Sequence, residues 1–301
     1  MSFEEGFTVS LIIDALLSGI LAGGVYALMA SGLTLIFGVL GIVNVAQGIL
    51  VVLGAYLSYA LEQHFHIDIF LSLLFTMPVM FLLGIGIEWA FVRRLKHNQT
   101  RVMLSVLVMF AVALVIEGLL NIVFTPDQVT LHAPYIDATF SVAGFYLPYI
   151  QVFAFLLSVV LLLALYLLVY RTGFGDSLRA SMQNRTAAAL IGIDIEKVSM
   201  ITFGIGVALT AAGGVAYGAT TVFNAASSYD LISRLLVIIV LGGMGSLRGT
   251  FFASLIMLVI SDLTSAVWGP QWASTVFFAL LVALLVFRPQ GLFGRLEGRS
   301  Q

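Results

Sequence analysis

Long apolar runs, recurring down the whole chain with almost no charge inside them, leave this sequence few ways to fold. They fall near residues 9–30, 32–43, 48–61, 69–92, 102–124, 149–170, 198–222, 232–243, 249–266 and 273–287. A membrane-crossing helix takes roughly 20 apolar residues. No two-residue alternation marks these runs as barrel strands, so the helix is the economical way to satisfy the backbone in lipid. Only 9% of the 301 residues are charged, against about 25% in an average soluble domain. The chain therefore cannot cover a water-facing shell. The expectation is an all-α polytopic membrane protein with a single transmembrane domain over residues 1–301. Cysteine is absent, which removes thiol catalysis and thiolate metal sites. The net charge of −2 offers no basic face to nucleic acid.

Lys and Arg set the orientation. Arg93, Arg94, Lys96 and Arg101 share one short loop. Arg171, Arg179, Arg185 and Lys197 share a longer one, and Arg288, Arg295 and Arg299 lie in the C-terminal tail. With Arg248, these place every basic residue except Arg234 on the cytoplasmic side. The remaining connections, including an outer loop over 125–148, carry Glu62, Asp68, Asp127, Asp137 and Asp230. The segment before the first run holds Glu4 and Glu5 but no Lys or Arg, so that run reads as a retained span rather than a secretory signal. About nine crossings are expected, within a range of eight to ten. Nine put the N-terminus outside and ten put it inside. By parity the stretch 232–266 leaves the outer face and returns to it, turning near Gly242 to Gly249. The stretch 10–61 holds either two spans with a broken segment or three short ones.

Two glycine-rich segments combine polar groups with apolar surroundings: Gly32 to Gly48, with Asn44 and Gln47, and Leu241 to Gly249. Glycine in a helix interior costs about 0.5–1 kcal/mol relative to alanine. Backbone that leaves the helix at membrane depth survives only where protein buries it or a watery cavity is lined by it. Broken segments are expected near 32–48 and 241–249. Asn44 and Gln47 would either meet a polar solute or hydrogen-bond between helices. The spacings Gly19/Gly23, Gly214/Gly218 and Gly245/Gly249 fit close helix contact. Of the ionisable residues in the runs, Asp14 and Asp262 fall near outer ends, Glu88 near an inner end, and Glu117 is the deepest.

The loop 171–198 carries its own helix punctuation. Asp176 or Ser177 is positioned to cap a short helix, with Leu178 and Met182 on one face. Thr186 opens a second turn through Leu190 and Ile191, ended by Gly192, and Asp194 can cap the next span. Such a loop suits docking into a groove on a cytoplasmic partner, or lies on the bilayer surface as an interfacial helix.

Other strings carry less. Gly175-Asp-Ser-Leu178 spells a lipase-type motif without a matching Asp-x-x-His. His64 and His66 lack a third ligand close in sequence. Asn98-Gln-Thr100 and Asn184-Arg-Thr186 match the glycosylation triplet but fall in cytoplasmic loops. No Gly-x4-Gly-Lys-Ser/Thr loop occurs, so no ATP hydrolysis is expected here.

Four pieces in order are recognisable: Gly32-Leu-Thr-Leu-Ile-Phe-Gly38 leading to Asn44-Val-Ala-Gln-Gly48, the loop Arg171 to Gly192, Val240-Leu-Gly-Gly-Met-Gly-Ser246, and Arg288-Pro-Gln-Gly-Leu-Phe-Gly294. Along nearly its whole length the chain resembles the membrane-spanning permease subunit of binding-protein-dependent ABC importers of the branched-chain amino acid group. Gln47 stands where that family usually shows a histidine. The resemblance implies a second homologous permease subunit, two cytoplasmic ATP-binding subunits, a soluble solute-binding protein and a bacterial inner-membrane location. ATP and Mg would be used by the partner subunits, with no cofactor or metal on this chain. It further implies that Arg179, Ala180, Asn184, Ala187, Ala188 and Gly192 belong to the ATPase-coupling loop. Gly41, Asn44, Gln47, Gly242, Gly243 and Gly245 would lie beside the translocation pathway. Branched-chain or other apolar amino acids are the expected solutes, with urea or short amides as the alternative. A stand-alone secondary carrier is the rival mechanism.

Overall fold

The computed structural model describes residues 2–95, 101–132, 138–142, 145–288 and 290–293. Lys96, Asn98, Asp137, Pro289, Gly294, Arg295 and Arg299 lie outside the described residues. In chain order the helices are α1 (Ser2–Leu40), α2 (Gln47–Phe65), α3 (Leu73–Ile87), α4 (Arg101–Phe124), α5 (Tyr149–Arg171), α6 (Gly173–Gln183), α7 (Arg185–Leu190), α8 (Ile195–Thr220), α9 (Ser227–Gly242), α10 (Leu247–Trp268) and α11 (Pro270–Phe287). A π-helical turn, Glu88–Val92, extends α3. One antiparallel hairpin, β1 (Thr139–Val142) with β2 (Phe145–Pro148), stands between α4 and α5, with Ser141 opposite Tyr146.

Among the described residues, seven segments, in α1, α3 with its π-turn, α4, α5, α8, α10 and α11, are long and apolar enough to cross a membrane. Helices α2 and α9 fall outside that set, and α9 has only 16 residues. The first two apolar runs, expected as separate segments, form one continuous helix through Gly32. Glycine there does not break the helix. A Cβ at Gly32 would run into Gly206 O and Thr210 Oγ1, so the residue buys close approach to α8 instead. The chain leaves the helix only at Gly41, which has a φ of 64° that favours glycine.

Helix α8 is the centre of the bundle. In its most apolar stretch 83% of residues are buried, against 11% for α4 and 6% for α11. Those two therefore turn their apolar faces outward. Two stripes of small residues let the central helices touch. Gly19 and Gly23 of α1 lie against Val259 and Leu255 of α10, which makes the two helices antiparallel. Gly214 and Gly218 of α8 lie against Val51 and Ala55 of α2, so these two run parallel. Gly249 of the third spacing abuts Gly242, while Gly245 faces Gly38 more loosely, with room for a Cβ 3.6 Å from the Gly38 Cα.

Candidate translocation and coupling site

The first break folds into a sealed polar knot. Asn44 and Gln47 are completely buried. Asn44 Nδ2 donates to Gln47 Oε1 at 2.9 Å, and Gln47 Nε2 donates to Thr210 Oγ1, midway along α8. Thr210 Oγ1 donates onward to Gly206 O at 2.7 Å. Of the two uses open to these amides, this conformation realises the interhelical one. Gly41 is exposed.

The second break is a tight turn. Helix α9 ends at Gly242, and Gly243 and Gly245 take φ of 94° and 85°, a region that L side chains rarely enter. Ser246 then caps α10, its hydroxyl accepting from Gly249 N at 3.1 Å. The tail returns to this point, where Leu292 N donates to Leu241 O at 2.7 Å and satisfies an end carbonyl of α9. Gly242 and Gly243 are buried and Gly245 half-buried.

The loop between α5 and α8 is helical, as its punctuation implied, with one change. Thr172, not Asp176 or Ser177, caps α6 by accepting from Gly175 N at 3.1 Å. Thr172 sits in extended backbone at the N-cap position, while Asp176 and Ser177 are already inside the helix. Leu178 is buried and Met182 half-buried on the inward face. Asn184 caps α7 through Ala187 N at 3.0 Å, and also donates its own N–H to Ala180 O at 3.0 Å. Gly192, with φ of 90°, ends that turn. Asp194 caps α8 by accepting from Lys197 N at 3.1 Å, and that hydrogen bond holds its carboxyl below the usual carboxylate range.

Arg179 fastens α6 to the end of α5. Its Nη1 donates to Val169 O at 2.8 Å, its Nη2 pairs with Asp176 at 2.5 Å, and the guanidinium lies over the Tyr170 ring. Of the six residues assigned to the coupling loop, Ala188 is buried whereas Asn184, Ala187 and Gly192 are exposed. The exposed tip continues in Leu190 and Ile191, at 83% and 76% exposure.

The loop and the second break meet. A cavity of about 660 Å³ brings Arg179 and Met182 together with Gly245 and Arg248. A Cβ on Gly38 would strike the Met182 methyl, and Gly245 lies beside both. Met182 thus touches the end of α1 and borders the α9–α10 turn. The sequence placed Met182 on a helix face but gave no sign of this meeting. A second group also escaped it: Arg234, midway along α9, and Asp262, on α10, share one cavity.

These features define a multi-pass helical membrane protein with a structured loop wedged against its broken helices. The chain belongs to the family of the branched-chain amino acid transport system permease component, whose pattern matches residues 15–285. It is 26% identical over 296 residues to the high-affinity branched-chain amino acid transport system permease protein BraD of Pseudomonas aeruginosa, covering 95% of this chain and 96% of that protein. To the LivH permease protein of the equivalent Escherichia coli K12 system it is 25% identical over 303 residues, covering 95% and 96%. Over 46% of this chain and 32% of that protein, it is also 27% identical to LivM, a permease protein of the same-named E. coli system. No solved structure matches the chain.

Proposed function

We propose that the chain is the translocating subunit of an ATP-driven importer in the cytoplasmic membrane, taking up branched-chain or other apolar amino acids handed over by a soluble binding protein. The observation that carries this reading is the tip of the loop. Leu190 and Ile191 stand exposed on a capped helix whose neighbour α6 is fastened through Arg179 and Leu178. Two apolar side chains on a rigid short helix suit a groove on a soluble subunit.

In this reading the basic end is cytoplasmic, and the chain makes nine crossings with its N-terminus outside. Helices α2 and α9 supply two shorter crossings beside the seven long spans. Two ATP-binding subunits take the loop 171–198 and use ATP and Mg at their own sites. A second, homologous permease completes the pathway. The similarity of this chain to both LivH and LivM, permease proteins of one named system, supports that pairing.

ATP binding would close the partner subunits and draw the loop with them. Met182 would carry the displacement to Gly38 and Gly245, where the helices can bend. Gly41, Asn44, Gln47, Gly242, Gly243 and Gly245 then act beside the pathway as the points of flexure and their latch. Solute must bind the outward and inward states differently for this motion to be coupled to uptake.

The test is recovery of the tagged chain from its own membranes in mild detergent, with mass spectrometry and an ATPase assay. A second hydrophobic subunit and ATP-binding chains are expected, with hydrolysis stimulated by binding protein plus leucine, isoleucine or valine rather than by urea or acetamide. Recovery of the chain alone, together with ion-driven uptake in proteoliposomes lacking ATP, would overturn the reading.

A further inference from the structure

A second cavity lies at the end of the bundle opposite the basic loops. It measures about 380 Å³, within the roughly 300–1,000 Å³ of small-molecule sites. Helices α1, α5, α8, α9 and α10 all contribute to its wall. Charged groups among apolar helices are costly to keep and mark function by default, and three of them face this space: Asp230, Arg234 and Asp262.

Their arrangement is that of an incomplete set. Arg234 spends only its Nε on a protein partner, donating to Asp230 Oδ2 at 2.7 Å, and its guanidinium lies 5.5 Å from the Phe277 ring centroid. Neither terminal nitrogen of Arg234 has a hydrogen-bond partner among the described residues. Asp262 interacts electrostatically with Arg234, yet makes no ion pair or hydrogen bond among the described residues. A structural pair would close to contact; these opposite charges instead border the same cavity without an ion pair between them among the described residues. Two phenols, Tyr26 and Tyr217, line the same cavity, and their hydroxyls are likewise without hydrogen bonds among the described residues. Val25 and Leu258 supply apolar wall beside the charges.

We propose that this cavity binds a free amino acid in its zwitterionic form, with an apolar side chain. The two terminal nitrogens of Arg234 take the α-carboxylate as a fork, Asp262 takes the α-ammonium, and Val25 and Leu258 receive the side chain. A simple cation would leave the Arg234 donors unused, and a simple anion would leave Asp262 unpaired. The site lies within one chain and rests on the reading of that chain as an amino acid importer subunit.

The test uses the whole complex, purified through the tagged chain and reconstituted in nanodiscs and proteoliposomes. Arg234→Met and Asp262→Asn are each expected to lower leucine uptake at least tenfold, with unchanged subunit composition by mass spectrometry. The double variant is expected to stay as low as either single one. Recovery of uptake in the double variant would overturn the proposal, because removing both charges repairs a structural ion pair but not a zwitterion site. Labelled leucine bound to the wild-type complex without binding protein should be displaced by unlabelled leucine, and not by isovalerate or isoamylamine. Equal displacement by either single-charge analogue would also overturn it. A wild-type complex that responds to no amino acid defeats the importer reading itself, whereas normal uptake by both single variants defeats only this site.

Discussion

Gln47, the first residue of α2, donates its side-chain amide to Thr210 on α8, and both are completely buried. Asn44 completes the chain by donating to the Gln47 carbonyl oxygen at 2.9 Å. This network ties the broken segment to the central helix at a depth where water is scarce. Leaving a buried polar group without its partner costs about 1–3 kcal/mol. Thr210→Val is expected to destabilise the solubilised protein by that amount, and Gln47→Leu by a similar one because Asn44 then loses its acceptor. Groups in one network do not add, so the double variant should lose less than the sum. Additive losses in thermal melts would show that the amides act separately.

The glycines divide into two kinds, and substitution should separate them. Gly214 has no room for a Cβ, which would strike Val51 O on α2. Gly118 on α4 has nothing within 4 Å. Gly214→Val is predicted to push α2 off α8 and to cut the yield of folded protein sharply. Gly118→Ala should be neutral, or stabilising by about 0.5–1 kcal/mol through helix propensity alone. Monodispersity after detergent extraction checks both; equal behaviour of the two variants would count against the packing account.

The same division explains what the sequence could convey. The breaks at Gly41 and at Gly243–Gly245 were legible because glycine density there coincides with polar residues. The continuity of α1 through Gly32 was not, since a glycine that admits a neighbouring helix looks the same in sequence as one that ends its own. The cap at Asp194 was readable from local spacing. The cap at Thr172 was missed because two better-looking candidates follow it inside the helix. The position of Asp262 along its apolar run carries no information about Arg234, which another helix brings to the same cavity. Contacts between elements far apart in sequence are where local pattern stops being informative.

Ala187 and Ala188 are adjacent in sequence but opposite in exposure, and the coupling reading makes them behave differently. Ala188 is 2% exposed, so Ala188→Arg should disorder α7 and lower stability through overpacking, by about 1–3 kcal/mol or more. Ala187 faces solvent with Leu190 and Ile191. Leu190→Asp and Ala187→Arg are expected to leave thermal stability within about 0.5 kcal/mol of wild type, while uncoupling ATP hydrolysis from uptake in the assembled complex. Unchanged uptake per ATP in both variants would place the tip on the bilayer surface instead of in a partner's groove.

Met182 offers the sharpest test of how movement leaves the loop. Its methyl fills the space that a Cβ on Gly38 would need, and Gly245 lies close to both. If the loop pulls on the helices through this contact, shortening the side chain should slacken the transmission without undoing the fold. Met182 is only half-buried, so Met182→Ala is expected to cost at most the lower end of the roughly 2–5 kcal/mol seen for such truncations in cores. Binding of the ATP-binding subunits should be retained, since Leu190 and Ile191 are untouched. Amino-acid-stimulated hydrolysis should persist while uptake per ATP falls severalfold, and Met182→Leu, which keeps most of the volume, should restore most of it. Stability that falls together with uptake, without rescue by leucine, would make Met182 a packing residue and move the coupling route to Arg179 and the end of α5.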